Sequence, residues 1–329
     1  MSFNQYTWDL YKQTTIGIEM IKYFSDAGGY VLFKDYCPYA NFIPEDLYND
    51  WLENIYCYGV SDYDHPSSLE EAKDLYISLI TLGIRVEGQQ WLPANDFKNM
   101  LGIIQPMSYV LSQFAPEYFF PYLFLCRIFE LNKIADFFNI DLPNIPKRTD
   151  YKGRCMYYWE LCEVFYLFRK ENGLSPADLW SFLYDFAPNN LPSEKIDMPK
   201  PSQVWFIGGR LYQEDKSLES KFWQSSPETK KGDILVHYET SPISAITCIE
   251  ISLTDGVIDP LFRYYGCIYI GNRINIPHIT LKELQTDEYF FKHPLVRKNF
   301  QGVNGWSVNS ENYSELLRMI KTKGFDIEV

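Results

Sequence analysis

Histidine is scarce, cysteine is scattered and the common catalytic signatures are missing, and each absence removes a class of protein. The 329 residues hold four histidines, at 65, 237, 278 and 293, far apart along the chain. Seven cysteines, at 37, 57, 126, 155, 162, 248 and 267, form no Cys-x-x-Cys pair. The expectation is reduced, mostly buried thiols, with no disulfide framework, no bound metal and no cofactor. No stretch approaches the ~20 uninterrupted apolar residues of a membrane span. The opening Met1-Ser-Phe-Asn-Gln-Tyr-Thr-Trp8 lacks the basic region and apolar run of a signal peptide. A cytoplasmic protein without membrane contact is expected. No Gly-x-Ser-x-Gly, Gly-x-x-x-x-Gly-Lys or His-Glu-x-x-His motif occurs, so no catalytic residue is singled out.

Aromatic residues are abundant: 26 Tyr, 23 Phe and 8 Trp, enough to line cores and clefts with large flat side chains. The formal net charge of −13 argues against a protein that coats nucleic acid non-specifically, since phosphate binding is driven by Lys and Arg. That charge is unevenly spread. Residues 200–329 carry 15 basic and 16 acidic side chains, whereas residues 1–199 carry 15 basic and 27 acidic ones. Nucleic acid would therefore meet the C-terminal part. The acidic N-terminal part would repel it or face a protein partner.

Residues 191–202, Leu-Pro-Ser-Glu-Lys-Ile-Asp-Met-Pro-Lys-Pro-Ser, read as a Pro-rich linker between two domains. Residues 1–190 before it read as mainly helical. Leu69–Leu82 carries an apolar face, with Ser67-Ser68 placed to cap it and Gly83 to end it. Tyr118–Phe138 reads as two buried helices, or one bent at Pro121. Tyr157–Lys170 and Ala177–Phe186 read as a packed helical hairpin, the second helix starting from Ser175-Pro176. A DNA-reading helix-turn-helix fits that pair poorly, because its second helix has two Asp and no basic residue. Tyr56, Tyr58, Tyr63 and Trp91, in polar surroundings, are either an interaction surface or core.

After residue 202 the pattern turns to short β runs at 203–207, 234–238, 245–253 and 265–270, bounded by Gly, Asn and Asp. Helical patterns follow at Ile279–Leu284 and Ser310–Thr322. The fold class expected is α+β: a helical domain, then a small barrel over residues 203–329 with short helices across its ends.

The order of features over 203–320 resembles the EVE branch of the PUA-like superfamily. The matching features are a first strand carrying Trp205 and running into Gly208-Gly209, the segment Lys221-Phe-Trp-Gln-Ser-Ser-Pro, the Gly232-Asp233 turn, the strand Ile234–Tyr238 followed by Thr240-Ser241, and Asp259-Pro260 before a later strand. In the family, the Lys221 segment precedes a short helix. The family carries a Lys-Ser-Glu-Pro-type stretch where this chain has Gly-Gly-Arg. The resemblance implies a pocket that receives a flipped or single-stranded base, sometimes a modified one, in DNA or RNA, as in sensing or restricting foreign nucleic acid.

Stacking on an aromatic ring contributes ~1–3 kcal/mol per base. Trp223 is the leading platform, and Trp205 and Tyr238 are further aromatic candidates. Gln224, Ser225 and Ser226 are placed to read a base edge, and Tyr238, Thr240 and Ser241 to form the facing wall. Each of the three aromatics has a plainer reading as a core anchor. Arg297, Lys298, Asn299 and Gln301 sit in a basic stretch with Gly302 and Gly305, suited to phosphate and backbone contacts. The plainer reading there is a solvated turn. The rivals are a sensor of a free nucleotide or small ligand, and a nuclease-like enzyme whose carboxylates lie in the N-terminal part.

Overall fold

In the computed structural model, residues 3–37, 40, 43–86, 89–192, 198–210, 221–262 and 265–327 are described. They divide into two compact units: residues 1–194 together with Asp259–Tyr265, and residues 195–258 with 266–329. By these contacts the division between the units falls between residues 194 and 195. Seven residues from the β-rich part belong by their contacts to the helical unit, which the linear pattern does not suggest. Among the described residues, no helix is long and apolar enough to cross a membrane.

The helical unit runs α1 (Gln5–Tyr11), α2 (Thr15–Asp26), α3 (Gly29–Tyr36), α4 (Glu45–Ile55) with a π turn at Tyr56–Val60, α5 (Leu69–Leu82), a hairpin β1 (Ile84–Val86) and β2 (Gln89–Leu92), α6 (Phe97–Met100), α7 (Ile104–Phe114), α8 (Ile128–Phe138), α9 (Tyr151–Glu171), α10 (Pro176–Ser181), a π turn at Phe182–Phe186 and α11 (Ala187–Asn190). Helix α5 forms as its pattern requires: Ser68 Oγ accepts the Glu71 amide, and Ala72, Leu75, Tyr76, Leu79 and Ile80 are buried. Ser175 and Asp178 make a reciprocal capping box on α10. Leu179, Trp180, Phe182 and Leu183 then pack inward, so the second half of the hairpin is core.

Tyr118–Phe138 departs from expectation. Only Ile128–Phe138 is helical, and residues 118–127 run through the core without regular structure. Pro116 and Pro121 lack the amides a helix would need there, and side chains replace the helical bonds. Tyr122 N–H donates to Ser108 Oγ (2.8 Å), Tyr158 OH to the Phe120 carbonyl (2.8 Å), and Tyr184 OH to the Pro121 carbonyl (2.5 Å). The wealth of tyrosine in this chain thus satisfies a buried irregular backbone, which otherwise costs a few kcal/mol per group.

The second unit holds β3 (Val204–Gly209), β4 (Lys221–Gln224), β5 (Ile234–Glu239), β6 (Ala245–Ser252), β7 (Val257–Ile258), β8 (Gly266–Thr280), α12 (Leu281–Thr286), α13 (Pro294–Arg297), β9 (Trp306–Val308) and α14 (Ser310–Thr322). Two local expectations are corrected. The strand expected over 265–270 continues to Thr280 with changes of register, so the helix expected from Ile279 begins only at Leu281, where Thr280 and Glu283 form a capping box. Lys221–Gln224 is a strand, and turns rather than a short helix follow it over 225–233.

The sheet order is β4-β8-β6-β5-β3-β9, with β7 on β8; β3 and β5 are parallel and the other pairs antiparallel. It is a curled, mixed half-barrel, not a barrel closed by its ladder: β4 and β9 are its edges. Side chains separate by strand alternation. Phe206, Val236, Tyr238, Ile246 and Ile249 face a core completed by Leu284, Leu295, Val296, Leu316, Met319 and Ile320 of the helices. Trp205, Ile207, Leu235, Ile268 and Ile270 form a second cluster made of strands alone, with Trp223 against it.

Candidate binding site in the curled sheet

The second cluster is the inner surface of the curl. Trp223 lies on β4 and Gly209 on β3, strands that three others separate in the sheet order. Even so, a Cβ on Gly209 would lie 2.5 Å from Trp223 Cζ2. The absence of a side chain at Gly209 is therefore what lets the half-buried indole lie across the curl. Its ring meets the His237 imidazole edge-on, centroids 4.7 Å apart.

The free edges meet beside this indole. Asn304 accepts the Gly208 amide through Oδ1 (2.7 Å) and donates through Nδ2 to Gln224 Oε1 (3.2 Å). The direction of this relay is imposed from one end. A backbone N–H can only donate, so Asn304 offers its oxygen there and its NH₂ to Gln224. Gly305 follows, where a Cβ would come within 2.5 Å of the Ser226 amide nitrogen and φ is +76°. Gly305→Ala is expected to part the two edges and lower the thermal midpoint of the β unit by several degrees. An unchanged midpoint would show the seam to be dispensable.

Beneath the indole is a polar group within an otherwise apolar layer. His237 on β5 is in register with Cys248 on β6, and Glu250 lies two residues further along the same face. His237 Nδ1 is 3.1 Å from Glu250 Oε2, and Arg273 reaches Glu250 Oε1 through Nε (2.8 Å) and Nη2 (2.7 Å). Burial works against the Glu250 charge, but the His237 and Arg273 contacts outweigh it and hold the carboxyl below its usual range. Burial also pushes the Cys248 thiol up to about 12. The Nε2 atom of His237 is buried with no hydrogen-bond partner.

Of the residues expected to contact a base, Trp223 and Gln224 stand together at this seam. Ser225 is buried and its hydroxyl pairs with Thr229 (3.0 Å); the Ser226 hydroxyl accepts the Glu228 amide. Trp205 is buried, with its indole N–H donated to Asp233 (2.9 Å). Asp233 also accepts from Ser202, Gln203 and Lys230, and these bonds outweigh its burial and keep its pKa low. Tyr238 belongs to the helix-covered face, stacked on Phe300 with centroids 4.0 Å apart, and does not join Trp223. Thr240 is partly buried and Ser241 exposed beyond the end of β5. Arg297, Lys298, Asn299 and Gln301 are all exposed, and Asn299 pairs with Gln285. Their segment leads within a few residues to Asn304. Sequence reasoning passed over Asn304, Glu250 and Arg273. For Glu250 the available signal was a charged residue on a strand whose neighbours are apolar; Asn304 lies in a turn before β9, and Arg273 has polar neighbours, so neither carried that signal.

In the helical unit, Tyr56 and Tyr58 are exposed and Tyr63 partly so; the Trp91 side chain lies outside the described ones. Tyr56 lines a cleft of about 390 Å³ with Leu52, Glu53, Tyr109 and His65, the last stacked on Phe114. Among the described residues of this unit, no three His, Cys, Asp or Glu side chains bring ligand atoms within 4.8 Å of one another.

No family model matches the chain, and no curated protein matches it. Among solved structures, the NMR structure of Rpa0253 from Rhodopseudomonas palustris aligns over 36% of this chain and 94% of its own, with 14% identity and a TM-score of 0.32.

Proposed function

We propose that the C-terminal unit is an EVE-type, PUA-like module that binds a nucleobase without transforming it. The observation that carries this reading is the Trp223 indole, half-buried at the sheet seam, rigidly backed by His237 and Gly209 and flanked by an oriented amide pair. A rigid indole with one part open to solvent is a stacking platform with little ordering cost. Beside it the Gln224 NH₂ group, its carbonyl already engaged by Asn304, offers donors to an acceptor edge of a base. The exposed Arg297 and Lys298 supply phosphate contacts.

Fluorescence polarisation of the full chain with short single- and double-stranded oligonucleotides, with and without modified bases, tests the reading. Trp223→Ala is expected to weaken binding about 5- to 150-fold, the equivalent of ~1–3 kcal/mol. Reversing the charges of Arg297 and Lys298 is expected to weaken all sequences alike and to flatten the dependence on salt. Competition by free mononucleotide with no gain from flanking phosphates would favour a small-ligand sensor. Undiminished binding by folded Trp223→Ala would overturn the assignment of the site.

A further inference from the structure

The group beneath the indole has a chemistry that base stacking does not use. His237, Cys248 and Glu250 are all buried, and a nitrogen, the sulfur and a carboxylate oxygen lie within 4.8 Å of one another. Bond lengths of about 2.0–2.3 Å to one zinc ion place such ligand atoms roughly 3–4 Å apart, so small side-chain rotations suffice. Adjacent strands supply all three: direct pairing brings His237 to Cys248, and the two-residue period brings Glu250 to the same face. Strands of this kind hold a site more firmly than loops do.

The nitrogen of His237 that faces Glu250 is Nδ1, 3.1 Å from Oε2, so it is the one placed to share an ion with that carboxylate. Nε2, on the other side of the ring, is buried without a hydrogen-bond partner and points away from that position. Arg273 occupies Glu250 Oε1 and orients the carboxylate, so that Oε2 is the oxygen turned to the imidazole. A thiol, an imidazole and a carboxylate suit a borderline-soft divalent cation better than calcium or magnesium, which prefer all-oxygen sets.

We propose that His237, Cys248 and Glu250 form a zinc-class site on the inner surface of the curled sheet, with water as the fourth ligand. Coordination releases the Cys248 proton to solvent and leaves oxidation states unchanged. The ion ties β5 to β6 under Trp223, which stiffens the platform. The site stands whether or not a base is the ligand above it.

The test uses the full chain carrying Cys57→Ser, which removes the exposed thiol, after treatment with a chelator. Cobalt(II) titration is expected to give one equivalent of tight binding, a thiolate-to-cobalt charge-transfer band in the near ultraviolet, quenching of indole fluorescence, and displacement by zinc. Both Cys248→Ser and His237→Gln should lose the band. Absence of stoichiometric binding, or a band that survives Cys248→Ser, would overturn the site. Should those variants fail to fold, X-ray absorption of the zinc-loaded Cys57→Ser chain decides. One sulfur at about 2.3 Å with lighter ligands at about 2.0 Å supports the site, and a shell of nitrogen and oxygen alone rejects it.

Discussion

Arg154→Leu is expected to destabilise the helical unit by about 3–5 kcal/mol, the cost of breaking a buried charge-assisted network. Arg154 lies on α9 and is 2% exposed. Its Nε donates to the Pro260 carbonyl (2.7 Å), Nη2 to the Phe262 carbonyl (2.6 Å) and Nη1 to the Arg148 carbonyl (3.1 Å). The guanidinium lies over the rings of Tyr151 and Tyr265, 5.6 and 5.2 Å from their centroids. Burial nudges its pKa down, with neighbouring Tyr151 and Tyr265 opposing that shift. Leucine fills much of the volume but removes the Arg154 donors from all three carbonyls. Lysine is not expected to rescue, because one ammonium cannot span carbonyls that the planar fork reaches together. Urea unfolding measures the loss. Limited proteolysis of the same variant should show new cleavage between residues 257 and 266. A loss under 1 kcal/mol would mean that the apolar contacts of the segment hold it unaided.

Stability of the same unit should fall as pH rises from 4 to 7, by up to roughly 4 kcal/mol from Asp259 alone. This carboxyl is fully buried, and burial raises its pKa from 3.8 to about 7 despite the amides of Leu261 and Phe262 that donate to Oδ1. The sign follows from proton counting. Between the two values the folded chain keeps a proton that the unfolded chain has lost, so raising pH favours unfolding. The contribution is complete below pH 4 and gone above 7. Within this unit Glu71, held down by hydrogen bonds from Ser67, and Glu117, where the Arg169 contacts outweigh burial, act oppositely: their folded pKa values are depressed and their stabilisation is lost as pH falls. Asp259→Asn isolates the term: the neutral amide can still accept the two backbone bonds. The variant should gain stability relative to the parent between pH 5 and pH 8 in urea unfolding. An equal difference at both pH values would show Asp259 to be ionised in the folded state throughout.

Both effects centre on Asp259–Tyr265, which was noted in the sequence only as an Asp-Pro pair ahead of a strand. Its place in the helical unit depends on partners more than a hundred residues away. Arg154 lies ahead of the helix expected over Tyr157–Lys170 and carried no reading of its own. No local pattern links it to residue 260.

The amino-acid sequence by itself determined what depends on neighbours along the chain. Helix α5 with its Ser68 cap, the start of α10 at Ser175-Pro176 and the β runs after residue 202 all rest on propensities and periods spanning a few residues. So does the recognition of Trp223 and Gln224 as polar-segment candidates. Tertiary structure alone decided which of these residues share a site. Alternation placed Tyr238 on the face opposite Trp223. The curl of the sheet brought Gly209 and Asn304 to the indole, and strand register gathered His237, Cys248 and Glu250 from positions with no recognisable ligand spacing. The physical reason is the same in each case: strand pairing and sheet curvature relate residues through hydrogen-bond register and packing, which sequence separation does not encode.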